Sequence, residues 1–190
     1  MNAMNREQAW DLVCEFVQSE ALRKHMLAVE AAMRHYAGVL AGEVEQWGLV
    51  GLLHDFDYER WPDPPAHTRE GAKILRERGV DEEIVGAVLS HAEWNRADYP
   101  LDSPLRKALS AVDELCGFIN AVALVRPTRL LGLTPKSVRK KMKATAFAAA
   151  VSREDITQGA ELLGLSLDEH IAHCITAIQS ITDEMGLNPT

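Results

Sequence analysis

The sequence predicts an all-α protein, on three observations. Alternating β-branched runs are absent, while Ala, Leu, Glu, Arg and Lys, all good helix formers, dominate. Apolar residues recur at helical spacing, as in Leu22, Met26, Val29 and Met33. Start and stop signals cut the chain into helix-length pieces: Asp81, Ser103-Pro104, Thr134-Pro135 and a Ser166…Glu169 capping box at the beginnings, Arg126-Pro127 and Gly186 at the ends.

In order, a first helix covers roughly residues 6–18 and places Trp10, Val13, Cys14 and Val17 on one face. A second runs from about 20 to 40. A third runs from about 43 to 54, through Leu49-Val50-Gly51-Leu52-Leu53, and ends in His54-Asp55. Pro62, Pro64 and Pro65 forbid a helix in the loop that follows. Further helices span about 66–79, with Ile74 and Leu75 inward, and from the Asp81 cap to about 91. A loop at 95–102 leads to a long helix from Ser103-Pro104 to about 125. Three shorter helices, opened by Thr134, Ser152 and Ser166, fill the rest, the last stopping at Gly186. Without a repeat or a flexible linker, 1–190 is expected to be one helical domain, a core of about 1–125 carrying a C-terminal helical cap of about 126–190.

A chain of 190 residues, 47% hydrophobic, is long enough to bury a substantial core. The net charge of −8 argues against nucleic acid or anionic membrane as a partner. No segment has the apolar length of a bilayer span, and the first residues lack an apolar signal core, so a cytoplasmic location is expected. Cys14, Cys116 and Cys174 are widely spaced, with no CxxC pair, and read as free thiols of a reducing compartment. Homo-oligomerisation is left open. The Met and Trp residues read as core, and no GxSxG elbow, P-loop or Rossmann glycine pattern is present.

Chemistry concentrates in a few residues. His54 and Asp55 end an apolar helix, and Asp113 sits among apolar neighbours of a core helix; a buried carboxylate demands a partner or a metal. With His25 from the second helix, four imidazole and carboxylate ligands from three helices can converge in a bundle core, a donor set suited to divalent Mn, Fe, Co, Ni, Zn or Mg. His35 reads as a polar-face residue, and His170 and His173 as plain helix surface. Lys136, Arg139, Lys140, Lys141 and Lys143 make a basic cluster in an acidic protein. Its bland reading is a solvated helix face; its functional reading is a phosphate-binding edge, with Arg126, Arg139 and Lys140 as substrate-binding candidates and Arg129 as a weaker one.

The order His25, His54-Asp55, Asp113, each on its helix, resembles the H…HD…D signature of the HD superfamily of metal-dependent phosphohydrolases, over residues 20–125. His67 and His91 resemble the extra histidines of the H…HD…H…H…D subset. That resemblance implies an HD-type helical bundle, and a second metal bridged to the first by Asp55. The chain is also similar to predicted HD-superfamily hydrolases, a description that names no substrate. It departs from the HDIGK run of many relatives, reading His54-Asp55-Phe56-Asp57-Tyr58, and lacks the GYP run of cyclic-dinucleotide phosphodiesterases.

The resemblance implies hydrolysis of a phosphoester of a small molecule, a nucleotide being the first choice, by metal-activated water. Asp57 and Glu93, which flank the ligands in sequence, are the candidates for proton relay. Two alternatives stand beside it. One is a di-iron oxygenase, since a few proteins of this fold use the same ligand set; the other is a non-catalytic nucleotide-binding regulatory module.

Overall fold

The computed structural model describes residues 4–189. Among them ten α-helices follow one another and no strand occurs. They are α1 (Arg6–Phe16), α2 (Glu20–Val39), α3 (Val44–Leu53), α4 (Ala66–Glu77), α5 (Glu82–His91), α6 (Pro104–Leu124), α7 (Pro135–Met142), α8 (Arg153–Leu162), α9 (Leu167–Gln179) and α10 (Thr182–Met185). A single 3₁₀ turn, Glu93–Asn95, follows α5.

The caps form where the sequence places them. Asp81, Ser103, Thr134 and Ser152 each accept a first-turn backbone N–H, and Ser166 and Glu169 close a reciprocal box. A second box, Asn5 with Gln8, starts α1. Gly186 takes the left-handed stop at φ 63°, but it ends the short α10; a break at Ser180 and Ile181 divides what the pattern reads as one final helix.

Packing is organised by α2, which lies against α3, α6 and α9. On α2, Met26, Val29 and Met33 are fully buried. From Trp47 to Leu53 every residue of α3 is buried, as befits a helix apolar all round. Gly51 permits the α2–α3 crossing: a Cβ there would lie 2.8 Å from the Glu30 Cα. Glu30, 3% exposed, is paired by Arg6 at 2.7 Å and Arg34 at 3.0 Å, so its buried charge is matched.

Three expectations are corrected. The inward face of α1 is Ala9, Leu12, Val13 and Phe16, while Trp10 and Cys14 are only half-buried. Trp94 stands 37% exposed, outside the core. His170 is fully buried: its Nε2–H donates to the Ala111 carbonyl at 2.9 Å and its Nδ1 accepts from the Tyr36 hydroxyl at 2.6 Å. The sequence pattern misplaces it because its neighbours Asp168, Glu169 and His173 are polar.

Candidate metal centre

Two helix ends use one device. His54 follows the last residue of α3, and its Nδ1–H donates to the Gly51 carbonyl at 2.8 Å. His91 ends α5, and its Nδ1–H donates to the Val88 carbonyl at 2.7 Å. Each ring satisfies a carbonyl that the ending helix leaves without a partner, and aims its Nε2 past the helix end. His67 is fixed otherwise. It and Thr68 (φ 67°) are non-helical, so the regular part of α4 begins after them, later than the pattern suggests. Asp57, 1% exposed, accepts from His67 Nδ1 at 2.9 Å, from the Thr68 N–H at 2.8 Å and from the Gly71 N–H at 2.9 Å. Gly71 is required at this contact, since a Cβ would fall 2.8 Å from Asp57 Oδ2.

The freed Nε2 atoms meet at Asp55. Its Oδ1 lies 3.3 Å from His67 Nε2 and 3.4 Å from His91 Nε2. Its Oδ2 lies 3.5 Å from His54 Nε2 and 3.9 Å from His25 Nε2. Asp113, in mid-α6, brings its Oδ1 to 3.0 Å from His25 Nε2 and 3.5 Å from His54 Nε2. Two three-residue groups thus share one carboxylate: His25, His54 and Asp55, and Asp55, His67 and His91.

The donor chemistry fits a cation in each group. His25 and His54 bring their Nε2 atoms to 3.2 Å of each other, close enough for one ion to take both as ligands. Donors bonded at ~2.1 Å to one ion stand about 3.0–3.4 Å apart in octahedral or tetrahedral arrangement; the spacings at Asp55 and Asp113 are 3.0–3.5 Å, except His25 to Asp55 at 3.9 Å. The field agrees. Burial opposes charge on His54, but Asp55 and Asp113 outweigh it and hold the imidazole well above the ordinary histidine value. Burial likewise pulls His67 down, yet its hydrogen bonds to Asp55 and Asp57 prevail and push it up to about 9. Asp55 and Asp113, despite burial, are held well below the usual carboxylate range, chiefly by His54. Such a field draws positive charge, and metal and protons compete for it.

Of the two proton-relay candidates, Asp57 is consumed as the anchor of His67 and does not line the cleft over the cluster. Glu93 lines a polar hollow beside His91. Glu114, not among the sequence candidates, borders both that hollow and the cleft, and accepts the Ser152 N–H at 3.0 Å. Burial raises its carboxyl above the usual value. Adjacency to Asp113 was the available signal, the same one that selected Asp57.

The basic candidates lie elsewhere. Arg126 closes its own turn, on the carbonyls of Arg129 and Leu131, and Arg139 pairs with Asp168 at 2.9 Å. Neither they nor Lys140 line the hollows that meet the cluster. Instead two exposed aromatics flank His67: Tyr58, with ring centroids 5.1 Å apart, and Trp94, at 6.0 Å.

Comparison with protein families matches residues 22–119 to the HD domain. The chain belongs to the HD-domain family. That span contains every residue of the two metal groups. Most members of this family are metal-dependent hydrolases. Comparisons with curated proteins and with solved structures gave no significant match. No helix among the described residues is long and apolar enough to cross a membrane.

Proposed function

We propose that this HD-domain protein is a metal-dependent phosphohydrolase that cleaves a phosphoester of a small molecule. The observation that carries the reading is the division of Asp55, one oxygen toward His67 and His91, the other toward His25 and His54. A carboxylate so placed is suited to bridging two cations, with Asp113 completing the first group.

Divalent ions held there would lower the pKa of bound water from about 15.7 toward 7 and neutralise charge on a phosphoryl oxygen. The chain's own residues do the rest. Asp55 and Asp113 remain ionised and balance the added charge. The backbone-anchored rings of His54 and His91 keep the ligands from rotating, so the geometry is preorganised. Tyr58, at the rim of the cleft, restricts access to the cluster.

The test begins with metal content per chain, on full-length protein purified without chelator, followed by release of phosphate from a panel of small phosphoesters. Two divalent ions per chain, with hydrolysis lost on chelation and restored by metal, is the expected result. Full metal loading with no turnover of any phosphoester would overturn the reading. Iron in both positions with oxygen consumption would assign the oxygenase chemistry that the same donors accommodate, and tight nucleotide binding without turnover would assign a regulatory module.

A further inference from the structure

Two hollows adjoin the metal cleft, and they differ in character. The smaller, about 280 Å³, shares His91, Asp113 and Glu114 with the cleft. Glu93 and Asp155 add their carboxylates there, against the cation of Arg96, so this side repels a second anionic group. The larger, about 570 Å³, lies in the groove between α2 and α6 and is within the size range of small-molecule sites. It shares His25 and Gly117 with the cleft. Gly117 leaves the passage beside His25 open, since even a Cβ there would already stand in van der Waals contact with Nδ1, at 3.7 Å.

The larger hollow runs from polar to apolar. Along one face of α6, Gly117 is followed by Ala121 and Leu124 at i+4 and i+7, so the wall extends about 10 Å from the passage. Ala21, one turn before His25 on α2, faces it, and Met185 and Leu187 complete the apolar lining. Leu124 stands 58% exposed, apolar surface that a ligand would take out of water. Lys24 and Glu20 also line the hollow but pair with each other at 2.8 Å, so they offer no net charge. The passage itself is polar. His54, His67 and His91 each commit Nδ1 to the chain, whereas the hydrogen-bond contacts of His25 among the described residues run through Nε2. With Nε2 turned to the cluster, Nδ1 carries the proton and can donate to an oxygen of a ligand.

We propose that this hollow receives the alcohol half of the substrate, and that the substrate is a phosphomonoester of an apolar alcohol, a short alkyl chain or an unsubstituted ring. The phosphoryl group faces the cluster, an oxygen of the ester meets the His25 Nδ1–H, and the hydrocarbon lies against Ala121, Leu124 and Leu187. Hydrolysis adds water across the P–O bond: phosphate keeps the oxygen of the water, and the alcohol leaves with a proton. A sugar or polyol in the same place would give up the hydration of its hydroxyls to walls that offer no partner, so the hollow discriminates against it. The inference rests on the phosphohydrolase reading for the fate of the phosphate, and on the hollow alone for the hydrocarbon.

The test uses the full-length, metal-loaded chain as wild type, Ala121→Leu, which fills the hollow, and Ala121→Asp, which charges it. Metal content and thermal unfolding confirm that each variant is folded and loaded. Binding is measured by calorimetry with ethyl-, butyl- and hexylphosphonate, whose C–P bond water does not cleave, and with the dihydroxypropyl analogue as the polar control. Release of phosphate from the matching phosphate esters is followed separately. In the wild type each buried CH₂ group should tighten binding by about fourfold, the butyl compound should outbind the dihydroxypropyl one, and both variants should flatten the series. A series without slope, tightest binding of the dihydroxypropyl compound, or a slope that both variants leave intact would overturn the proposal. So would a dimer, seen in sedimentation, that Ala121→Asp dissociates, which would give the hollow to a second copy of the chain. Chain-length-dependent binding with no phosphate release would sink the phosphohydrolase and keep the hydrocarbon site; phosphate release without chain-length dependence would do the reverse.

Discussion

Histidines gather at two places along α2. At the first, His25 meets His54, Asp55 and Asp113. Further along the helix, His35 Nε2 lies 2.8 Å from His173 Nδ1, and Tyr36 bonds to His170, both partners coming from α9. The clusters differ in where each ring's second nitrogen goes. In the first, His54, His67 and His91 commit Nδ1 to the protein and leave Nε2 facing carboxylates. In the second, His170 spends both nitrogens on neutral partners, and burial lowers it to about 4. Residue type alone does not suit a cluster to a metal; an unspent nitrogen beside an anion does.

Substitutions can break this contrast in order of decreasing effect. Asp55→Ala removes the carboxylate common to both groups. Both ions should disappear together in elemental analysis, and hydrolysis should fall by more than about 100-fold, beyond the usual cost of losing a single outer partner. Loss of one ion alone would show that Asp55 does not bridge.

Asp57→Asn loosens the anchor of His67, because one carboxamide oxygen cannot accept both from His67 Nδ1 and from the Thr68 and Gly71 N–H groups. Affinity for the ion between His67 and His91 should drop by about 10–100-fold, while the site at His25 and His54 keeps its metal. Metal titration read one site at a time separates the two.

His170→Gln probes the neutral cluster. In the folded chain His170 titrates near 4, against 6.5 when unfolded. Between these values the unfolded chain binds more protons, so the contribution is complete above 6.5 and is lost as pH falls through 4. At 1.36 kcal/mol per unit this amounts to about 3 kcal/mol. Urea unfolding of the wild type should weaken over that window more steeply than unfolding of the variant, with the metal content of the variant unchanged at neutral pH. Parallel pH profiles would mean that His170 binds its proton equally well in the folded and unfolded chain, and would overturn the shift.

Arg139→Ala should do least. Its exposed pair with Asp168 is worth about 0–1 kcal/mol, and it stands away from the hollows at the cluster. Phosphate release should stay within about twofold of wild type; a large loss would restore the basic cluster to the active site.

The helices were legible because their signals are local. Ser103, Thr134, Ser152 and Ser166 cap their helices through side chains three residues from the N–H they serve. The six residues that gather around Asp55 were legible as candidates as well: Asp55 and Asp113 from the cost of a buried carboxylate, His25 and His54 as the imidazoles that complete the donor set, and His67 and His91 through the family pattern. What was missed depends on contacts distant in sequence. Position beside Asp55 suggests a proton relay for Asp57, whereas its three hydrogen bonds reach to His67, Thr68 and Gly71 across a loop. The polar neighbours of His170 suggest a surface position, and its partners Tyr36 and Ala111 lie on other helices.

By itself, then, the sequence determined that this chain is helical, where its helices begin, and which imidazoles and carboxylates are available, because capping, periodicity and residue chemistry act over a few neighbouring residues. Only the tertiary structure decided that Asp55 turns one oxygen to each histidine pair and that Glu114 rather than Asp57 faces the cleft. Those outcomes depend on how α2, α3, α5 and α6 pack, and the spacing of residues along a chain does not carry the distance between helices.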